Sequence, residues 1–345
     1  MLRLRGILRI LSRDRRCGYC LAFALGFVTA VIILVSKYQL GDCVKLLVQN
    51  SQKKFGTSTG ETAALGDDFN HVTSLLLFVG YPRSGHTLVS SLLDAHPHVA
   101  VANEYKLLGH WLTFDAKQRT RKYIFEELYR DSLMQSKEGY RSSKVKHTFN
   151  YSVPNQWNGH YDRFLKVVGD KHGPQTTYFL KEKEHESVVD EISQHLKTNV
   201  RFLHVVRNPH DNIATMAVRQ VEGRLFIQQG NVLNKSDVVD FQIRSYLRLV
   251  SINSLLLEKY KVHTIYAEDL VASPKKVLSS VCEFLDLKCG TKYLSDCASL
   301  VFGNPSTTRN NVVWTPEQRK LVDVAIMKYS FLNRYAVNST LVGKS

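Results

Sequence analysis

An α/β fold, doubly wound about a central parallel sheet with a phosphate-binding loop and preceded by one transmembrane helix, is what these 345 residues predict. Three observations predict it. The apolar run Leu75-Leu76-Leu77-Phe78-Val79 breaks at Gly80-Tyr81-Pro82-Arg83-Ser84-Gly85 and restarts as a helical pattern from Thr87, the signature of strand, loop and helix. Further apolar strands alternate with amphipathic segments down the chain, the pattern of a parallel sheet covered by helices on both faces. Residues 17–36 run twenty positions without a charge, enough to cross a bilayer as a helix.

The N-terminal elements follow from charge. Residues 1–16 carry six arginines against Asp14, a net of +5, and this flank before the apolar segment predicts a cytosolic tail, a signal-anchor at 17–36 and a luminal remainder. The apolar run exceeds the 7–15 residues usual for a cleaved signal, and no small-x-small site follows it. Residues 37–70, rich in Gly, Ser, Thr, Lys and Gln, read as a luminal stem, and 71–345 as one catalytic domain. Three sequons beginning at Asn150, Asn234 and Asn338 agree with a luminal domain. Six cysteines are too few for a disulfide scaffold at this length. Cys17 and Cys20 lie at the edge of the anchor and Cys43 in the stem; of Cys282, Cys289 and Cys297, one pair is expected to close a small loop, with Cys289 and Cys297 the first choice. No Cys/His spacing resembles a zinc site, so no metal is expected.

Within the domain, strand 75–79 precedes a helix from about Thr87 to Ala95 and a short strand at 99–102 that ends at Asn103-Glu104. Residues 117–137 read as a helix and 138–162 as a polar, aromatic-bearing insert. Another helix covers 190–196, then Val200–Val206 is a strand ending at Arg207-Asn208-Pro209. Apolar residues at three- and four-residue intervals predict a long helix over 237–260, followed by a strand at 262–266 and a helix from Pro274 to about Asp286. A last helix starts at Thr315-Pro316-Glu317.

Chemistry enters at the ends of these strands. The spacing Gly80-x4-Gly85-x-Thr87 is that of a loop whose amides and helix N-terminus wrap an anion, but His86 stands where a nucleotide triphosphatase needs Lys. A kinase or GTPase would also need an acidic residue at a neighbouring strand end to manage magnesium, and Arg207 has the wrong charge for that. A loop plus an arginine on the next strand instead supplies two separated anion sites. The net charge of +15 leaves +10 beyond the tail, which favours anionic nucleotides, acidic glycans or acidic peptides; a luminal compartment argues against nucleic acid.

Together, the GYPRSGHTL loop, the segment RNPHDNIATMAVR at 207–219 and YAEDLVASPKKVLSSVCEFLDL at 266–287 resemble the sulfotransferases that use 3′-phosphoadenosine 5′-phosphosulfate, over nearly all of residues 75–335. The resemblance implies a single-pass type II Golgi membrane enzyme acting on a glycan or protein-tyrosine hydroxyl, with homodimerisation open. It implies that Arg83, Ser84, Gly85, His86, Thr87 and Leu88 hold the 5′-phosphosulfate, and that Arg207 holds the 3′-phosphate with Thr215 at the family's serine position. Glu104, after the segment His96-Pro97-His98-Val99, is implied as the base, with His86 and His98 as fallbacks. Lys171, in a Gly169-Asp170-Lys171 segment, is the first choice for the leaving-group cation; Lys181, 26 residues before Arg207, remains the alternative. Arg309 is implied to close over the nucleotide, while Trp314 reads as a packing residue. A phosphate-loop kinase and a non-catalytic luminal glycan binder are the rival readings.

Overall fold

The computed structural model describes residues 69–139, 150–301 and 303–338. The expected tail at 1–16, anchor at 17–36, almost all of the stem, part of the polar insert and Cys17, Cys20 and Cys43 lie outside them. Among the described residues no helix is long and apolar enough to cross a membrane.

Five strands, β1 (Ser74–Gly80), β2 (Val99–Asn103), β3 (Val167–Lys171), β4 (Asn199–Val206) and β5 (Val262–Tyr266), form one sheet in the order β2-β3-β1-β4-β5. Each pairing is parallel, with Ser74 beside Val167 on one side of β1 and beside Asn199 on the other. From β1 the chain lays β2 at one edge, inserts β3 between the two, and then adds β4 and β5 on the other side of β1. That reversal places a crevice at the carboxyl ends of the strands, where such sheets bind ligands.

Both faces of β1 are buried along all seven residues, as expected of a central parallel strand. Alternation along the strands divides the core. Leu75, Leu77 and Val79 pack with Ala100, Ala102, Val168 and Phe202 on one face, under Trp111, Ile124, Phe125, Leu128 and Leu196. Leu76 and Phe78 pack with Val99, Val101, Val167, Leu203 and Val205 on the other, against Leu92, Leu93, Leu278, Val281 and Cys297. A third cluster joins Tyr81 and Val206 to Ile213, Ile243, Tyr246, Trp314 and Val322 beyond the β4 end of the sheet.

The helices close to the site are α1 (His86–Asp94), α2 (Leu107–Trp111), α3 (Arg121–Lys137), α4 (Gly173–Lys181), α5 (Val188–Leu196) and α6 (Pro209–Val221). Farther along come α7 (Arg224–Gln228), α8 (Ser236–Lys259), α9 (Ala267–Ala272), α10 (Pro274–Phe284), α11 (Thr291–Leu300) and α12 (Pro316–Lys328). Helix α3 starts four residues later than the pattern suggested, because the Thr120 side chain caps it by accepting from the Tyr123 amide. Helix α12 begins with a capping box between Thr315 and Gln318 and has Pro in its first turn.

Among the elements without a counterpart in the sequence pattern, two shape the site. Strand β3 is fully buried yet ends in Gly169, Asp170 and Lys171, so its polar half hides its strand character. Helix α4 has three hydroxyl or glycine positions turned into the core. The cysteine expectation is corrected: Cys282 and Cys289 form the disulfide, while Cys297 is a buried free thiol with its sulfur 3.8 Å from the Leu92 carbonyl. Cys282 lies on α10 and Cys289 in the turn that follows, so the bridge ties that turn back to its own helix.

The start of β1 is fastened by Arg121, whose guanidinium donates to the carbonyls of Phe69 and Val72 and of Leu196 and Lys197. Replacing it with alanine strips several carbonyls of their donor, a loss of about 1–3 kcal/mol by the usual cost of a buried unpaired group. Urea denaturation of Arg121→Ala should show that drop in midpoint with an unchanged slope; an unchanged midpoint would show that water replaces the guanidinium.

Candidate active site

The loop after β1 is shaped by backbone conformations that only some residues accept. Gly80 (φ 138) and Gly85 (φ 106) both lie in the left-handed region, and a side chain at Gly80 would press on the His86 ring and the Val205 carbonyl. Arg83 is also left-handed, at φ 66, and exposed at the tip. Helix α1 makes its first internal bonds from Leu88 and Val89 to the Gly85 carbonyl. The amides of Gly85, His86 and Thr87 therefore stand at the positive end of the helix, the arrangement that binds anions. Asn212 on α6 holds the loop from outside by donating to the Pro82 carbonyl at 2.7 Å.

His86 differs from its expected place. Its imidazole is turned under the loop, 6% exposed, with Nε2 3.2 Å from the Val79 carbonyl and Nδ1 3.1 Å from Ser84 Oγ. Burial drives its pKa down to about 4, so the ring is neutral and Nε2–H is the donor to Val79. Only the His86 amide, not its side chain, faces an anion at this helix end. A Cβ on Gly173 would lie 2.6 Å from the His86 ring, so the imidazole occupies the space beside the β3–α4 turn and packs the loop against it. As a fallback base His86 is thereby removed, and so is His98, which precedes β2 at the amino end of the strands and stacks on Phe164.

At the end of β4, Arg207 Nη1 donates to Thr215 Oγ1 at 2.9 Å, and Nη2 donates to Thr308 Oγ1 at 3.1 Å and to the Ser306 carbonyl at 2.7 Å. Its Nη1 also comes within 3.5 Å of the Arg83 carbonyl, so the Arg207 group and the loop sit side by side at one edge of the sheet. Burial lowers the guanidinium pKa, with Asp211 and Glu268 opposing that fall. Arg309 does not reach over this group. Its guanidinium donates to both oxygens of Asp211, at 3.1 and 2.6 Å, and Asp211 also accepts from the amides of Thr308 and Arg309. Asp211 thus lays Thr308 against Arg207 and Thr215, and neither Asp211 nor Thr308 stood out in the sequence. Trp314 packs as read, buried beside His210 with its indole N–H on the Arg309 carbonyl.

At the ends of β2 and β3, Lys171 Nζ lies 3.0 Å from Glu104 Oε1. The lysine side chain is 5% exposed and the glutamate side chain 55%, so a sequestered cation presents a carboxylate to solvent. Burial raises the Glu104 pKa, but the Lys171 ammonium, with His172 and Arg83 adding to it, outweighs burial and leaves the carboxyl below its ordinary value. Lys181 is elsewhere, in the last turn of α4, with a 41% exposed side chain 3.7 Å from Glu182. The pairing Asn103 with Lys171 across β2 and β3 is what brings Glu104 and Lys171 together from 67 residues apart. Among the described residues, no group of three or more His, Cys, Asp or Glu side chains is placed to hold a metal ion.

Asp170, the residue before Lys171, is 3% exposed and accepts from the amides of Tyr105 at 3.1 Å and Leu107 at 2.8 Å. Burial pushes its pKa from 3.8 up to about 7, with the two amides opposing. The folded chain therefore binds this proton more tightly than the unfolded chain. The resulting stability is full below about pH 4 and is lost as pH rises through about 7. Asp170→Asn should flatten that fall in denaturation midpoints measured from pH 4 to 8, and curves that stay parallel to wild type would show that Asp170 is ionised throughout.

A family model described as the Sulfotransferase family matches residues 76–290. A protein of Caenorhabditis briggsae named "Putative protein-tyrosine sulfotransferase" is 24% identical over 233 residues, covering 64% of this chain and 68% of its own. Protein-tyrosine sulfotransferase A of Caenorhabditis elegans is 21% identical over 240 residues, covering 68% of this chain and 55% of its own, so the match spans just over half of that relative. Among solved structures, a sulfotransferase from Mycobacterium avium superposes with a TM-score of 0.43 at 11% identity, over 78% of this chain and 80% of that one.

Proposed function

The chain belongs to the sulfotransferase family, and from that premise we propose that it moves a sulfuryl group from 3′-phosphoadenosine 5′-phosphosulfate to the phenol hydroxyl of a protein tyrosine. The observation that carries this is the Glu104–Lys171 pair, seated at the carboxyl ends of the strands like the loop and the Arg207 group. The loop amides from Gly85 to Thr87, with Arg83 at the tip and Ser84 and Leu88 shaping the turn, receive the 5′-phosphosulfate. Arg207, Thr215 and Thr308 receive the 3′-phosphate, the phosphate taking the place that the Ser306 carbonyl has at the guanidinium.

In the reaction the acceptor oxygen attacks sulfur in line as the bond from sulfur to the 5′-phosphate oxygen breaks. Glu104, held ionised by Lys171, takes the acceptor proton. Lys171 stabilises the charge that grows on the departing phosphate oxygen, leaving adenosine 3′,5′-bisphosphate and a sulfate ester. Arg309 acts at one remove, through Asp211, on the loop that carries Thr308. A tyrosine acceptor is supported by the names of the two nematode relatives. A type II Golgi membrane protein with its domain in the lumen is supported by the uncharged 17–36 segment after a basic tail, by the exposed Asn234 sequon and by the Cys282–Cys289 bridge.

Radiolabelled donor offered to the full chain in detergent, with pools of tyrosine peptides and of glycans, tests the reading; label should pass to tyrosine peptides. Transfer only to glycans would overturn the acceptor, and transfer to neither would overturn the reaction. Arg207→Ala should weaken adenosine 3′,5′-bisphosphate binding by about tenfold or more, since a charge-assisted bond contributes roughly 1.5–3 kcal/mol. Unchanged binding would take Arg207 out of the nucleotide site. Glu104→Gln should lower kcat by about a hundredfold or more while leaving bisphosphate affinity near wild type. A variant with full turnover would show that another group takes the proton.

A further inference from the structure

The turn that carries Glu104 is costly backbone. Glu104 and Lys106 both adopt φ 68, a left-handed conformation that is unfavourable for a non-glycine residue and persists only where the surroundings over-determine it. Those surroundings can be named. The Asn103 amide donates to Asp131 Oδ2 at 2.7 Å, and the Glu104 amide donates to the Lys171 carbonyl at 3.1 Å. The amides of Tyr105 and Leu107 go to the two oxygens of Asp170, one each.

Asp170 and Lys171 are neighbours at the end of β3, and consecutive strand residues point to opposite faces. One of them grips the backbone on either side of Lys106, and the other grips the Glu104 carboxylate itself. We propose that Asp170 is a positioning residue for the transfer reaction: its bidentate hold on the Tyr105 and Leu107 amides keeps the turn left-handed and so aims Glu104 at the acceptor hydroxyl. Buried at 3% exposure, Asp170 touches neither donor nor acceptor, so it acts only through the turn. An asparagine there keeps one acceptor oxygen but faces the second amide with an N–H₂ group, which breaks half of the hold. This inference rests on the reading of Glu104 as base.

The test is a double-mutant cycle in the full chain, assayed at about pH 8, above the value to which burial pushes Asp170. Asp170→Asn should lower kcat by about tenfold to a hundredfold, the penalty of a slightly misplaced catalytic group, with bisphosphate affinity within about twofold of wild type. In the Glu104→Gln background the same substitution should cost less than about twofold, because no base is left to aim. Asp170→Glu, read in the same way, covers the case in which the asparagine variant does not fold. Wild-type kcat in Asp170→Asn would overturn the proposal, as would an equal loss in both backgrounds or a failure of both Asp170 variants to bind the bisphosphate. If Glu104→Gln alone keeps full turnover, the base assignment fails first and this inference falls with it.

Discussion

A buried ammonium at the end of a buried strand is the constraint from which the site follows. Lys171 closes β3, where its neighbours are the ends of β2 and β1, and a charge so enclosed is tolerated only with an opposite charge in contact. Glu104 is that opposite charge, and because its own side chain is half exposed it carries the partner's influence out to the crevice. The carboxylate is thereby kept ionised while still reachable, which is what a proton acceptor at this edge requires.

Carboxylates, more than cations, shape the rim. Asp170 fixes the turn after β2, and Asp211 lays the Thr308 segment over Arg207. Glu268, just past β5, accepts from the Asn208 amide at 2.8 Å and from the Tyr335 hydroxyl at 2.7 Å, which holds the turn after β4. In each case a buried or half-buried acid accepts from backbone amides that the loop geometry leaves without a helical or sheet partner. The Arg207 guanidinium is thus flanked by a segment that Asp211 fixes, and the Glu104 turn is fixed by Asp170. A chain of net charge +15 places several of its relatively few acids where they organise the anion site.

Local patterning made much of this legible in advance. Strands β1, β2, β4 and β5 and helices α1, α8 and α10 lie within a few residues of where apolar periodicity and Gly/Pro punctuation put them. The loop from Gly80 to Thr87 was readable because left-handed backbone and a helix start demand particular residues. Strand β3 was not, since half of it is Gly, Asp and Lys, whose presence in a buried strand makes sense only once Glu104 and the Tyr105 and Leu107 amides are known to receive them. His86 read as a phosphate donor from its position in the loop; its inward turn depends on the space that Gly80 and Gly173 leave for its ring. The cysteine pairing failed for the same kind of reason: Cys282 and Cys297 are both buried, and separations of seven and eight residues do not say which of them Cys289 meets.

From sequence alone came the α/β class, the glycine-bounded loop between β1 and α1 and the arginine at the neighbouring strand end, because each rests on contacts among residues close in the chain or on the charge a position must carry, while Glu104 was singled out by the family resemblance. The pairing of Lys171 rather than Lys181 with Glu104, the turning of Arg309 onto Asp211 and the contacts of Asp170 with the Tyr105 and Leu107 amides were decided by tertiary structure. These depend on strand order and parallel register, which set Asn103 beside Lys171 across 68 residues of chain, and no local spacing encodes which strand ends become neighbours.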